Sequence, residues 1–219
     1  MRYIITILIL TAWTSCNVVH DLQEERFKTS VINLRQVGLF EDYKDLDDER
    51  LTKTLIEKAK KKYQIDGHDK FNEIFDPVNT DYFDLHVAEL DEKRVWCRDL
   101  ESDILNGNNV YAETVKQFGI LSGGFLNPDQ IKEQWPSDSG LVKVSFQDKD
   151  TLRVFHLEHN DGWYSPNFFE YLESSMKGNG SPYQFYTHDK TGQDVFIIRL
   201  TQDEKEKIEK KMNWKLVKF

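Results

Sequence analysis

The sequence predicts an α+β fold: an antiparallel sheet built from consecutive β-hairpins, with intervening helices on one face and an N-terminal helical segment before it. Three observations lead there. Apolar and polar residues alternate through Val142-Lys143-Val144-Ser145-Phe146 and Leu152-Arg153-Val154-Phe155-His156-Leu157, joined through Asp148-Lys149-Asp150. A second such pair, Tyr183-Gln184-Phe185-Tyr186 and Val195-Phe196-Ile197-Ile198-Arg199-Leu200, is joined through Asp189-Lys190-Thr191-Gly192. A helix signal follows each pair, and a shift of 41 residues lays Asp148, Lys149, Val154 and Phe155 on Asp189, Lys190, Val195 and Phe196.

Composition sets the limits within which these elements act. At 219 residues, with 39% hydrophobic and 31% charged, the chain can bury a sizeable core. Its 13% aromatic residues imply large buried side chains. A net charge of -9 repels phosphate backbones, so nucleic acid is not an expected partner.

The chain opens with Met1-Arg2-Tyr3, an apolar run from Ile4 to Trp13, and Thr14-Ser15-Cys16. A basic tip, a short apolar stretch and small residues form a secretory signal, too short to span a bilayer. Small residues directly before a cysteine resemble the lipobox of bacterial lipoproteins, although Trp13 stands where a Leu-like residue is usual. That resemblance covers only the leader. It implies cleavage after a signal peptide of residues 1–15, lipidation of Cys16, and a membrane-anchored protein of the bacterial cell envelope. Cys97 is then the one thiol of the mature chain besides Cys16, so no internal disulfide is expected.

Residues 16–76 read as an N-terminal helical segment and 77–219 as an α+β domain. Leu22, Phe27, Val31, Leu34 and Val37 recur at helical spacing and end near Gly38. A second helix spans about Glu49 to Tyr63, with acidic residues at its start and the basic run Lys58 to Lys62 near its end. Lys70 to Phe75 reads as a short helix. Tyr82 to Leu90 and Lys93 to Arg98, with Asp91-Glu92 between them, read as a further hairpin. A helix is expected from Val110 to Leu121, and another from Asn127-Pro128-Asp129 through Trp135. Asn167 to Met176 follows the first repeated hairpin, and Thr201-Gln202-Asp203-Glu204 is a capping-box pattern opening the helix after the second. The alternating end, Trp214 to Phe219, suits an edge strand.

Three groups of residues carry candidate chemistry. In the hairpin through Asp91-Glu92, His86 would face Cys97 and Asp84 would face Asp99, giving a thiol, an imidazole and two carboxylates on one sheet face. His156, Glu158, His159 and Asp161 supply zinc-type ligands in the densest cluster of such residues. Trp163, Tyr183 and Tyr186 suggest an aromatic platform for a sugar or peptide, against a structural alternative in which Trp163 packs on Phe168 or Phe169. The acidic segment from Glu41 to Glu49 lacks the spacing and central Gly of a calcium loop. No serine carries the glycine flanks of a nucleophile elbow.

The reading these residues favour is a lipid-anchored envelope protein of non-enzymatic binding or structural type, without a cofactor. Its partners are the membrane, through Cys16, and an envelope protein or other envelope component. The alternatives are an exported hydrolase, a thiol- or metal-dependent enzyme, or an inhibitor of the immunity type.

Overall fold

The computed structural model describes residues 21–65, 68–78, 82–99, 104–136, 140–159, 162–188 and 194–218, so the leader and Cys16 lie outside it. The chain divides into two compact units, Met1–Leu90 and Asp91–Phe219.

The first unit is helical. Residues 21–36 form α1, with Phe27, Val31 and Leu34 fully buried on one stripe. Leu39 N donates to Leu34 O and Gly38 N to Arg35 O, and Gly38 takes the left-handed conformation that this helix end requires. Asp47 caps α2 (Asp48–Lys62) by accepting from Arg50 N at 2.8 Å. Leu51, Leu55 and Ala59 form the buried stripe of α2. A minimal hairpin, β1 (Gln64–Ile65) and β2 (His68–Asp69), leads into α3 (Phe71–Ile74) and α4 (Phe83–Ala88). The Phe75 ring packs 5.2 Å from Phe27 and 5.4 Å from Phe83, joining α1 to the later helices.

Here the structure corrects the expected third hairpin. Phe83, Leu85 and Val87 alternate as a strand would, yet His86 N donates to Tyr82 O and Glu89 N to Leu85 O, the bonds of a helix. Burial also continues without a break from Val87 through Leu90, which an element buried on several faces allows.

The elements of the second unit are β3 (Val95–Asp99), α5 (Val110–Leu121), β4 (Pro128–Gln134), β5 (Val142–Asp148), β6 (Thr151–Leu157), α6 (Phe168–Gly178), β7 (Gln184–His188), β8 (Asp194–Leu200), α7 (Gln202–Met212) and β9 (Leu216–Lys218). The strands form two antiparallel sheets, ordered β3-β8-β7-β9 and β4-β5-β6. Both repeated hairpins form, each followed by its helix, but they lie in different sheets. β5 and β6 turn tightly at Lys149-Asp150. The Thr201–Glu204 capping box is present, and β9 pairs with β7 as the edge strand.

Residues 128–134 form a strand rather than the expected helix. Proline suits the first position of a strand as well as of a helix. Gln130 has φ 51°, and the register shifts between Asp129 and Lys132, so the chain bulges there. β4 also serves α5: Glu133 accepts from Ala112 N at 2.9 Å, placing a carboxylate at the positive end of that helix.

One core joins α5, α6 and both sheets, with Phe118, Phe168, Phe146 and Phe185 fully or almost fully buried within it. β8 is buried on both faces. Val195 and Ile197 enter that core, while Phe196 packs 5.7 Å from Trp214 on the other side.

Candidate functional site

The first unit contains a cavity of about 290 Å³, lined by α1, α2 and α3. Helical spacing builds it. Lys53, Ile56, Glu57 and Lys60 share one face of α2, and Gln23, Glu24 and Phe27 share one face of α1. Phe27 and Phe71 give an apolar floor, and the rim carries charges of both signs. Lys60 pairs with Glu57 at 3.3 Å and Lys53 with Glu49 at 2.8 Å, so each lysine is balanced by its own helix.

Gln23 is the polar group at the floor. It is only 7% exposed, and its Nε2 donates to Phe75 O at 2.8 Å. Its carbonyl oxygen accepts no hydrogen bond among the described residues. An amide acceptor left open at an apolar cavity fixes the orientation of whatever fills it.

A second polar cluster lies at α4. Tyr63 Oη donates to Glu89 Oε2 at 2.8 Å, Lys62 Nζ meets Glu89 Oε1 at 2.9 Å, and His86 Nδ1 lies 3.2 Å from Oε2. Burial pushes the Glu89 carboxyl up, but the His86 bond, the Lys62 charge and the Tyr63 bond outweigh it and hold the group at about 2. Glu89 is therefore a fixed anion that ties α4 to the end of α2.

The sequence-derived candidates are dispersed. Asp84 and His86 sit on α4 of the first unit, where Ser30 Oγ donates to Asp84. Cys97 and Asp99 sit on β3 of the second unit, opposite Phe196 and Asp194 of β8, so the register that would set His86 against Cys97 does not form. His156 is exposed on β6 opposite Lys143. Glu158 and His159 are exposed after it, with the His159 ring edge-on to Trp135 at 5.3 Å, and Asp161 lies outside the described residues. Among the described residues no three His, Cys, Asp or Glu side chains gather as a metal site would require.

The aromatic candidates do not make one platform. Tyr186 is buried and donates to Gln202 Oε1 at 3.2 Å, while Tyr183 lies under the Arg199 guanidinium, 4.4 Å from the ring centre. Trp163 is half-buried. Tyr164, not Trp163, packs on Phe168 and Phe169, with ring centres 5.9 and 5.2 Å away.

Gln23 has no sequence signal of its own, being one polar residue on an amphipathic helix. Arg199 has one: a charge inside the apolar run Val195 to Leu200.

No family model matches the chain, and neither the curated proteins nor the solved structures contain a match to it. Among the described residues no helix is long and apolar enough to cross a membrane.

Proposed function

We propose that this chain is a lipid-anchored, non-enzymatic binding protein of the bacterial cell envelope, and that the cavity of its first unit receives an apolar side chain from an envelope protein. The cavity carries the reading. Its volume of about 290 Å³ is at the low end for ligand pockets but ample for one large side chain. An apolar floor with one open amide acceptor and a charged rim matches the anatomy of a protein contact.

Its place in the chain supports the same conclusion. Gln23, Glu24 and Phe27 follow Cys16 closely, and however the intervening residues are arranged, a chain covers at most ~3.5 Å per residue. An acyl group on Cys16 would therefore hold Gln23 within ~25 Å of the membrane surface. A partner reaching this cavity has to be present at that surface.

Site-specific photocrosslinking in intact cells tests this. A photoreactive residue at Ile56, in the cavity, is expected to give a discrete protein adduct that disappears with Gln23→Leu. The same probe at exposed Lys207 on α7 is expected to give none. Equal adducts from both positions, or none from Ile56, would refute a partner at the cavity.

A further inference from the structure

The second unit holds a buried charge with no counter-group bonded to it. Arg199 belongs to the run Phe196-Ile197-Ile198-Arg199-Leu200 of β8, every member of which is buried. It is 7% exposed, its Nε is buried without a partner, and its guanidinium donates no hydrogen bond among the described residues. The plane lies over the Tyr183 ring at 4.4 Å. A Cβ added to Gly123 would lie 1.6 Å from Nη1, so the guanidinium occupies space that glycine alone leaves open.

The neighbouring cation does not relieve it. Arg199 N donates to Arg94 O at 2.9 Å, which sets the two arginines side by side. Arg94 is 4% exposed and meets Glu204 Oε1 at 2.8 Å, yet its own Nε is also buried without a partner. Glu204 is already committed, since its Oε2 accepts from Thr201 N at 2.7 Å and Thr201 Oγ1 at 3.0 Å. Burial and the Arg94 charge press against the protonated form of Arg199, opposed by the charges of Tyr183, Glu204 and Asp91. Stacking on Tyr183 offsets part of this. Nε remains unfilled in a region of low dielectric, where an open donor is most costly, while Nη1 and Nη2 also lack partners among the described residues but are not buried.

We propose that Arg199, with Arg94 and Tyr183 beside it, forms a binding site for the carboxylate of a ligand. A guanidinium edge presents paired donors at the spacing of two carboxylate oxygens, which the ammonium of lysine does not. Charge selects the class. Glu204 is bonded to Arg94 and Asp91 acts on Arg199 as a charge, so beside these two acids a monoanionic carboxylate meets less repulsion than a phosphate dianion would. The carboxylate belongs either to a free organic acid or to the C-terminus of a peptide, with the same contacts in both cases.

Isothermal titration of the full chain at constant ionic strength tests the site, using acetate, triglycine, C-terminally amidated triglycine and inorganic phosphate in turn. Saturable one-to-one binding is expected for acetate or triglycine and not for the amidated peptide. Triglycine binding more tightly than acetate assigns the site to a peptide terminus, and the reverse order to a free acid. Arg199→Met is expected to weaken binding at least tenfold. Because Met relieves a buried charge, the variant is expected to fold. Gly123→Ala keeps the arginine but displaces it, and is expected to weaken binding similarly. No saturable binding of either carboxylate, binding of phosphate alone, equal binding of the amidated peptide, or unchanged affinity in Arg199→Met would overturn the proposal.

Discussion

The side-chain amide of Asn179 donates to the carboxylate of Asp148 at 2.7 Å, fastening the end of α6 to the turn of the β5–β6 hairpin. Asp148 is 1% exposed and also accepts from Asn127 N at 3.2 Å, with Arg153 Nη2 at 3.5 Å. Replacing it by alanine strands several donors, one of them charged. Asp148→Ala is expected to cost about 3 kcal/mol and Asn179→Ala about 1–2 kcal/mol in chemical denaturation. The double variant should reveal a coupling of about 1 kcal/mol or more. Strict additivity would mean that the bond does not join the two elements.

Glu89 makes the first unit sensitive to acid. Its carboxyl is lowered from the ordinary 4.5 to about 2, so between those values the unfolded chain binds a proton that the folded chain refuses. Stability from this group is complete above about 4.5 and is lost as pH falls toward 2. The shift corresponds to about 3 kcal/mol. Denaturation of wild type and Glu89→Gln at pH values of about 7, 4 and 3 is expected to show the wild-type advantage shrinking as pH falls. An advantage independent of pH would contradict the assignment.

Gly119 lies inside α5, where glycine normally costs about 1 kcal/mol relative to alanine. The close approach of β4 explains its presence. A Cβ there would stand 2.7 Å from Pro128 Cδ, part of a rigid ring. Gly119→Ala is therefore expected to destabilise the second unit by about 1–3 kcal/mol despite its helix propensity, and Pro128→Ala in the same chain should recover part of the loss. A stabilised single variant would show that α5 and β4 do not pack this closely.

The two repeated hairpins, α1, α2 and the capping box at Thr201 are legible in the sequence because each has one buried face or a local hydrogen-bond pattern. Residues 83–90 mislead because α4 is buried on several faces, and Asp84 and His86 find partners in Ser30 and Tyr63 that no local pattern announces. Residues 128–134 mislead because Pro128 opens a strand as readily as a helix, and because the bulge at Gln130 puts Pro128 out of step with the alternating Ile131, Glu133 and Trp135.

The polar sites are less legible than the fold. Setting His86 opposite Cys97 depends on a hairpin that does not form. The cavity around Gln23 and the Arg94–Arg199 pair arise from residues far apart in sequence. The exception is the charge of Arg199, which stands out from the apolar run of β8 by its residue type alone.

Attachment to the envelope through Cys16 underlies the whole functional reading, and metabolic labelling with a fatty acid tests it most directly. Wild type is expected to incorporate label and Cys16→Ala to incorporate none, with both chains expressed at similar levels. Absence of label from both, or equal label on both, would contradict anchoring through Cys16 and remove the reason to seek the partner of the Gln23 cavity at the membrane surface.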